Sequence, residues 1–236
     1  MSMSASHRNA AAQGASPASS TVAQAFEAFI AKQAFPCLGA KAASAHDSIT
    51  LIEAGDLRDD HFDVAVVADV QAFAARAQAD TLFTSFVVLF APAPGMDEQA
   101  FEQAMWQRLQ AWHAIDHQQF RWDSQVSDDP AAANFSFSLG GSAFYVIGLH
   151  PGASRPARRY RQPALVLNLH SQFEQLRTDG RYEALRAAIT ARDIALCGSR
   201  NPMLAEHGKA PEARQYSGRA VGERWVCPFH AQGGRQ

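Results

Sequence analysis

Phe135-Ser136-Phe137-Ser138-Leu139, then Gly140-Gly141, then Ser142-Ala143-Phe144-Tyr145-Val146-Ile147-Gly148-Leu149-His150 is the stretch from which the fold follows. Phe135 to Leu139 alternates apolar and polar residues, the two glycines supply a turn, and Ala143 to Leu149 returns as a more apolar strand, which together predict a hairpin. Strand alternation puts Phe144, Val146, Gly148 and His150 on one face and Tyr145, Ile147 and Leu149 on the other.

Outward from the hairpin, Ala164 to Leu169 predicts a strand and Phe173 to Ile189 a broken helix. Upstream, Phe86-Val87-Val88-Leu89-Phe90 is a buried strand stopped by Pro92, Pro94 and Gly95. Asp97 to His117 is the clearest amphipathic helix, with Phe101, Met105, Leu109 and Trp112 as a core stripe. Further helices are predicted through Val22, Phe26, Phe29 and Ile30, with Thr21 as cap, over Ala40 to Ala45, and through Val70, Phe73, Ala74 and Ala77. The stretch from Cys197 to Phe229 is expected to be mostly loops that close over something. The expected fold is α/β, in an α+β-like arrangement: one domain with a central mixed, partly antiparallel sheet surrounded by helices. Residues 1–20 are expected to be a disordered leader, 21–230 the domain and 231–236 a flexible tail.

Composition narrows the function. The chain has 236 residues, 47% of them hydrophobic, and Lys+Arg 21 against Asp+Glu 23 gives a net charge of -2, which argues against a nucleic-acid partner. No apolar run approaches the roughly 18 residues that span a bilayer, so no membrane partner is expected. Three cysteines, Cys37, Cys197 and Cys227, contain no CxxC pair and suit a reducing, cytoplasmic setting. Neither the Gly-x-Gly-x-x-Gly nor the phosphate-loop pattern is present, and there is no Gly-x-Ser-x-Gly elbow.

The residues left to carry chemistry form four groups. His150 and His170 each end an apolar strand, and the missing side chain at Gly148 leaves room beside His150 for a flat ligand. If the two strand ends align, one histidine would bind a metal and the other orient a substrate or oxygen; alternatively His170 caps the next helix with Ser171. Arg155, Arg158, Arg159 and Arg161 cluster in a chain with only three lysines, and guanidinium groups clamp carboxylates in bidentate pairs. His113, Asp116 and His117 share a helix face at a spacing that suits a non-heme iron triad, or else lie on its solvent face. Cys37 and Cys227, each beside a proline, are candidate thiolate ligands, whereas Cys197 in the run Ile194 to Cys197 is expected to pack in the core.

Phe35-Pro36-Cys37 with Gly39, Gly148-Leu149-His150-Pro151 with Ser154-Arg155 and Arg158-Arg159, and Leu167-Asn168-Leu169-His170-Ser171-Gln172-Phe173 with Leu176-Arg177 resemble the YqcI/YcgG family of bacterial proteins. The resemblance continues through Arg192-Asp193, Asn201-Pro202-Met203-Leu204, Glu212 to Arg219 and Trp225-Val226-Cys227-Pro228-Phe229. It implies that 21–230 is a heme-binding oxygenase domain, with heme b, O2 as cosubstrate and an external reductant, either an electron-donor protein or a diffusible one. Members oxidise nitrogen, as in N-hydroxylation of arginine-like guanidines or conversion of 2-aminoimidazole to 2-nitroimidazole, the latter being the favoured expectation.

Under that resemblance His150 is the first choice for the iron ligand and His170 or Cys227 the alternatives. Arg155, Arg158, Arg159 and Cys37 would line the cofactor site. His170, Glu212 and Tyr216 are the catalytic candidates, with Glu212 and either Tyr216 or Trp225 receiving an amidine-like amine or guanidine. The competing expectations are a non-heme iron oxygenase on His113, Asp116 and His117, and a noncatalytic heme-binding or sensor protein. A homodimer is compatible with all of these.

Overall fold

A computed structural model of the chain describes residues 17–76, 82–204 and 209–232. Gly140 and Gly141 both take positive φ, 60° and 72°, the left-handed pair that a two-residue hairpin turn requires and that glycine adopts without strain. They turn β3 (Phe137–Leu139) into β4 (Ser142–Leu149). β5 (Ala164–Leu169) pairs antiparallel with β4, and β2 (Ser85–Leu89) antiparallel with β5. The outer strand β1 (Ile49–Glu53) runs parallel to β2. The order β1-β2-β5-β4-β3 is the expected mixed, partly antiparallel sheet in one α/β domain.

Alternation along each strand gives the sheet two buried faces. Phe86, Val88, Phe144, Val146, Leu165 and Leu167 pack on one side, against α3 (Asp63–Arg76) and α4 (Glu98–Asp116). Val87, Leu89, Leu149 and Ala164 face the other way, toward α1 (Pro17–Ala31) and α2 (Leu38–Ala45). α5 (His170–Thr178) and α6 (Tyr182–Cys197) follow β5, and the one-turn α7 (Ala213–Tyr216) rests on β4.

α4 starts where the sequence places it: the Asp97 carboxylate accepts from Ala100 N–H at 2.8 Å. Its stripe of Phe101, Met105, Leu109 and Trp112 has no exposed surface. Over this stripe lies the C-terminal segment, irregular as expected apart from α7. Phe229 is buried against Trp106, Trp122, Phe135, Phe137 and His113, with ring centroids 5.4–6.3 Å apart.

Several expectations change. α1 begins at Pro17, so Thr21 lies inside the helix rather than at its cap; 1–16, Ala77 and 233–236 lie outside the described residues. Ala231 packs on the core and Gln232 N–H donates to His113 Nε2 at 2.8 Å. Cys197 is only partly buried, beside an Ile194 that is 40% exposed, because α6 contributes no side chain to the core. His170 is the first residue of α5 and Leu169 its N-cap, so no histidine cap forms.

The His113, Asp116 and His117 group is neither a solvent face nor an assembled triad. His113 and Asp116 are buried. Asp116 Oδ1 accepts from Gln71 Nε2 and from Gly140 N–H, tying α3 and α4 to the hairpin turn, while His113 holds the C-terminal segment. Among the described residues no three ligating side chains converge on one point. No helix among them is long and apolar enough to cross a membrane.

Candidate functional site

The registers of three strands build one wall of a cavity. Ser85 pairs with Asn168 and Asn168 with Tyr145, which sets a polar row across β2, β5 and β4 on the α1–α2 side. The next row is Val87, Val166 and Ile147. The sheet therefore offers a polar end and an apolar end to a cavity of about 320 Å³, within the range of small-molecule and cofactor sites. Phe26, Phe29 and Phe35 add aromatic surface. α6 forms the roof, turning Leu185 and Ile189 inward without burying any residue. It is held by polar contacts: Asp193 pairs with Arg155, Arg192 donates to Gln33 O and Phe35 O, and Arg177 lies over the Tyr182 ring at 4.1 Å.

Guanidinium groups surround the cavity. Arg155 bonds Asp193 and Ser199 O. Arg158 donates to the carbonyls of Gly148, Gln215 and Tyr216 at 3.0–3.2 Å, and among the described residues no carboxylate pairs with it. Burial lowers its pKa, a fall that the nearby Asp193 carboxylate opposes without making a direct pair. Arg177 and Arg186 line the same space. An added carboxylate would relieve this arrangement.

Three other predicted residues meet here. His170 faces the cavity with Nε2 3.7 Å from Glu174 Oε1. The Cys37 sulfur caps α2 by accepting from Ala40 N–H at 3.4 Å, and burial pushes its pKa up, so it is a thiol rather than a thiolate at neutral pH. Glu212 accepts from Ser136 Oγ at 3.0 Å, yet burial raises its carboxyl to about 7. In the unfolded chain this carboxyl ionises near its ordinary value of 4.5, so this group stabilises the fold fully below that pH and ceases to do so as pH rises through about 7. Glu212→Gln is accordingly expected to lose stability less steeply than the parent between these pH values and to be the more stable protein at pH 8, as thermal midpoints measured across the range would show.

Other predicted residues lie elsewhere. β4 and β5 are antiparallel with Phe144 opposite Leu169 and Leu149 opposite Ala164, so His150 and His170 stand at opposite ends of the pair and on opposite faces. The space expected beside Gly148 is filled by Phe101: a Cβ there would lie 2.6 Å from Phe101 Cε1. His150 stacks on that ring at 4.3 Å, is 1% exposed, and is held neutral by burial, which lowers its pKa to about 4; neither ring nitrogen has a partner among the described residues. Tyr216 is sealed in the opposite core, donating to Phe144 O and accepting from Phe137 N–H. Arg159 bonds Ala153 O and Ser154 O, Arg161 is exposed, and Trp225 packs on the opposite core. Cys227, its thiol pushed up to about 12 by burial, is also on that side.

Asn168, Tyr145 and Gln215 were not singled out by the sequence. For the two strand residues the one signal was a polar atom at an inward position of an otherwise apolar strand, visible for Asn168 in Leu165-Val166-Leu167-Asn168-Leu169; Gln215, on α7, gave none.

A sequence model of the YqcI/YcgG family matches residues 26–230, which include every cavity residue named above. No curated protein and no solved structure matches the chain.

Proposed function

We propose that this chain, which belongs to the YqcI/YcgG family, is a heme-dependent N-oxygenase that converts a small planar amine, 2-aminoimidazole to 2-nitroimidazole as the leading substrate, with O2 and electrons from an external donor. The observation that supports this reading is the cavity's donor set: an imidazole, aromatic and aliphatic walls, and the Arg158 guanidinium, with which no carboxylate pairs among the described residues.

That set suits an apolar macrocycle carrying an iron and carboxylate side groups. His170 is the imidazole that faces the space and is the ligand we assign, in place of His150; Arg158, Arg177 and Arg186 are placed to meet the carboxylates. A thiol with a raised pKa makes Cys37 a wall residue rather than the ligand. Bound heme supplies oxygen activation and the electron path that side chains lack.

The remaining steps belong to the protein. Phe26, Phe29 and the roof of α6 exclude bulk water from the apolar end, which strengthens every polar contact inside. Glu212, with a pKa near working pH, can hold or release a proton at Oε1 while Ser136 anchors its other oxygen. Substrate amino groups are received at that end of the cavity, so the contacts expected from Tyr216 and Trp225 pass to Tyr145 and Gln215.

The test is the absorption spectrum of protein expressed with iron and a heme precursor, followed by turnover with reductant and O2. A Soret band with an oxidised nitrogen product is expected. Reconstitution that yields no Soret band overturns the cofactor, and a Soret band without product replaces the enzyme by a heme-binding protein.

A further inference from the structure

Four oxidisable rings run in an unbroken line from the cavity to the opposite side of the sheet. Tyr145 lines the cavity. Its ring centroid lies 5.7 Å from that of Tyr216, Tyr216 stacks on Trp106 at 5.6 Å, and Trp106 lies 6.4 Å from Trp225. Tyr216 and Trp106 are buried, whereas Trp225 is half-buried and meets solvent. Core packing accounts for the apolar area of these rings but not for an indole at position 106. Trp106 Nε1 is buried with no partner among the described residues. Buried indole N–H groups ordinarily find an acceptor, and leaving one unpaired is costly. Phe229 beside Trp106 and Phe135 beside Tyr216 show that rings without a polar atom serve this core.

What an indole adds is redox chemistry: tryptophan and tyrosine yield an electron to a strong oxidant, and phenylalanine does not. With no acceptor at Nε1, the Trp106 proton stays on nitrogen when the ring gives up an electron. The ring then returns to its starting state by taking one electron back, with no proton moved. Tyr145 bonds the Gln215 amide and Tyr216 the Phe144 carbonyl. Both partners are too weakly basic to take a phenolic proton, so these two rings bridge the electron's path without holding charge. Trp225 is where the charge reaches the surface.

We infer that Tyr145, Tyr216, Trp106 and Trp225 form a relay that drains unused oxidising equivalents from the cavity to the protein surface. The inference rests on the proposal that the cavity holds an oxygen-activating heme. The relay does not reduce the resting iron, which is too weak an oxidant to take electrons from indole or phenol. Where the external reductant is present, it returns the lost electron at Trp225. Where hydrogen peroxide alone is supplied, the Trp225 indole loses two electrons and two protons and gains the oxygen of one water. Those electrons and protons reduce the peroxide to two waters, so that one C–H bond becomes C–OH overall.

The experiment treats the hemin-loaded full chain with hydrogen peroxide, without substrate or reductant, and maps oxidised residues by peptide mass spectrometry. Trp122 is the internal control, half-buried like Trp225 but with only His113 and phenylalanines as ring neighbours. Hydroxylation is expected at Trp225 in excess of Trp122. Trp106→Phe, which also removes the unpaired N–H, should lower Trp225 to the level of Trp122 and speed the bleaching of the Soret band by peroxide. Trp225→Phe, at a half-buried position that tolerates the change, should speed the bleaching as well. Equal oxidation of the two tryptophans in the parent, or folded variants that keep the parent's oxidation pattern and bleaching rate, overturns the relay alone. A chain that takes up no hemin overturns the heme proposal and the relay with it.

Discussion

His170→Ala is expected to weaken hemin binding by more than about 100-fold, whereas His150→Ala should leave it within about threefold, since even the outer partners of metal ligands contribute about 10–100-fold. The contrast follows from strand geometry. An imidazole at the end of β5 projects into the cavity, while one at the end of β4 meets Phe101 on the packed side. Hemin titrations followed at the Soret band decide it, with circular dichroism confirming that each variant is folded. His150→Ala losing the band while His170→Ala keeps it would mean that the cofactor enters from the α4 side, and the cavity assignment would fall.

Phe229→Ala should cost about 3–5 kcal/mol of stability, the range for removing a fully buried aromatic ring. The ring is 0% exposed and joins residues from α4, the Trp122 loop and β3. Its loss would also loosen the segment that carries it, where Gln110 exchanges two hydrogen bonds with the His230 backbone and Gln232 bonds His113. Urea unfolding monitored by tryptophan fluorescence measures the change. A loss below about 1 kcal/mol, the cost of a mild core change, would show that the C-terminal segment is a cover rather than part of the core.

Much of the fold was legible because its signals are local. Alternation found β3, apolar runs found β4 and β5, paired glycines found the hairpin, and Asp97 ahead of an apolar stripe found α4. β1 escaped because Ile49–Glu53 is a five-residue outer strand with only partial burial and no alternation in its exposure. The single broken helix expected from Phe173 to Ile189 is two helices, separated at Gly180.

The site was legible in its residue types and not in its sides. Alternation correctly grouped His150 with Phe144 and Val146, but whether that face was open depended on Phe101, forty-seven positions away along the chain from Gly148. The antiparallel pairing that parts His150 from His170 is likewise a long-range fact. Conversely, Arg155, Arg158, His170 and Glu212 reach one cavity although they lie in different segments, because the β4–β5 connection, α5 and the C-terminal segment meet around it.

The roof helix has one more consequence. A helix that buries no residue fully, and is held mainly by polar contacts, gains less apolar contact from the protein beneath it than α4 does, so its local unfolding should be the cheaper. Whatever fills the cavity completes the apolar contact of Leu185 and Ile189, and occupancy and the order of α6 become one linked equilibrium. Affinity for any occupant then includes the cost of folding that helix, and a substitution on its outer surface can tighten binding without touching the ligand.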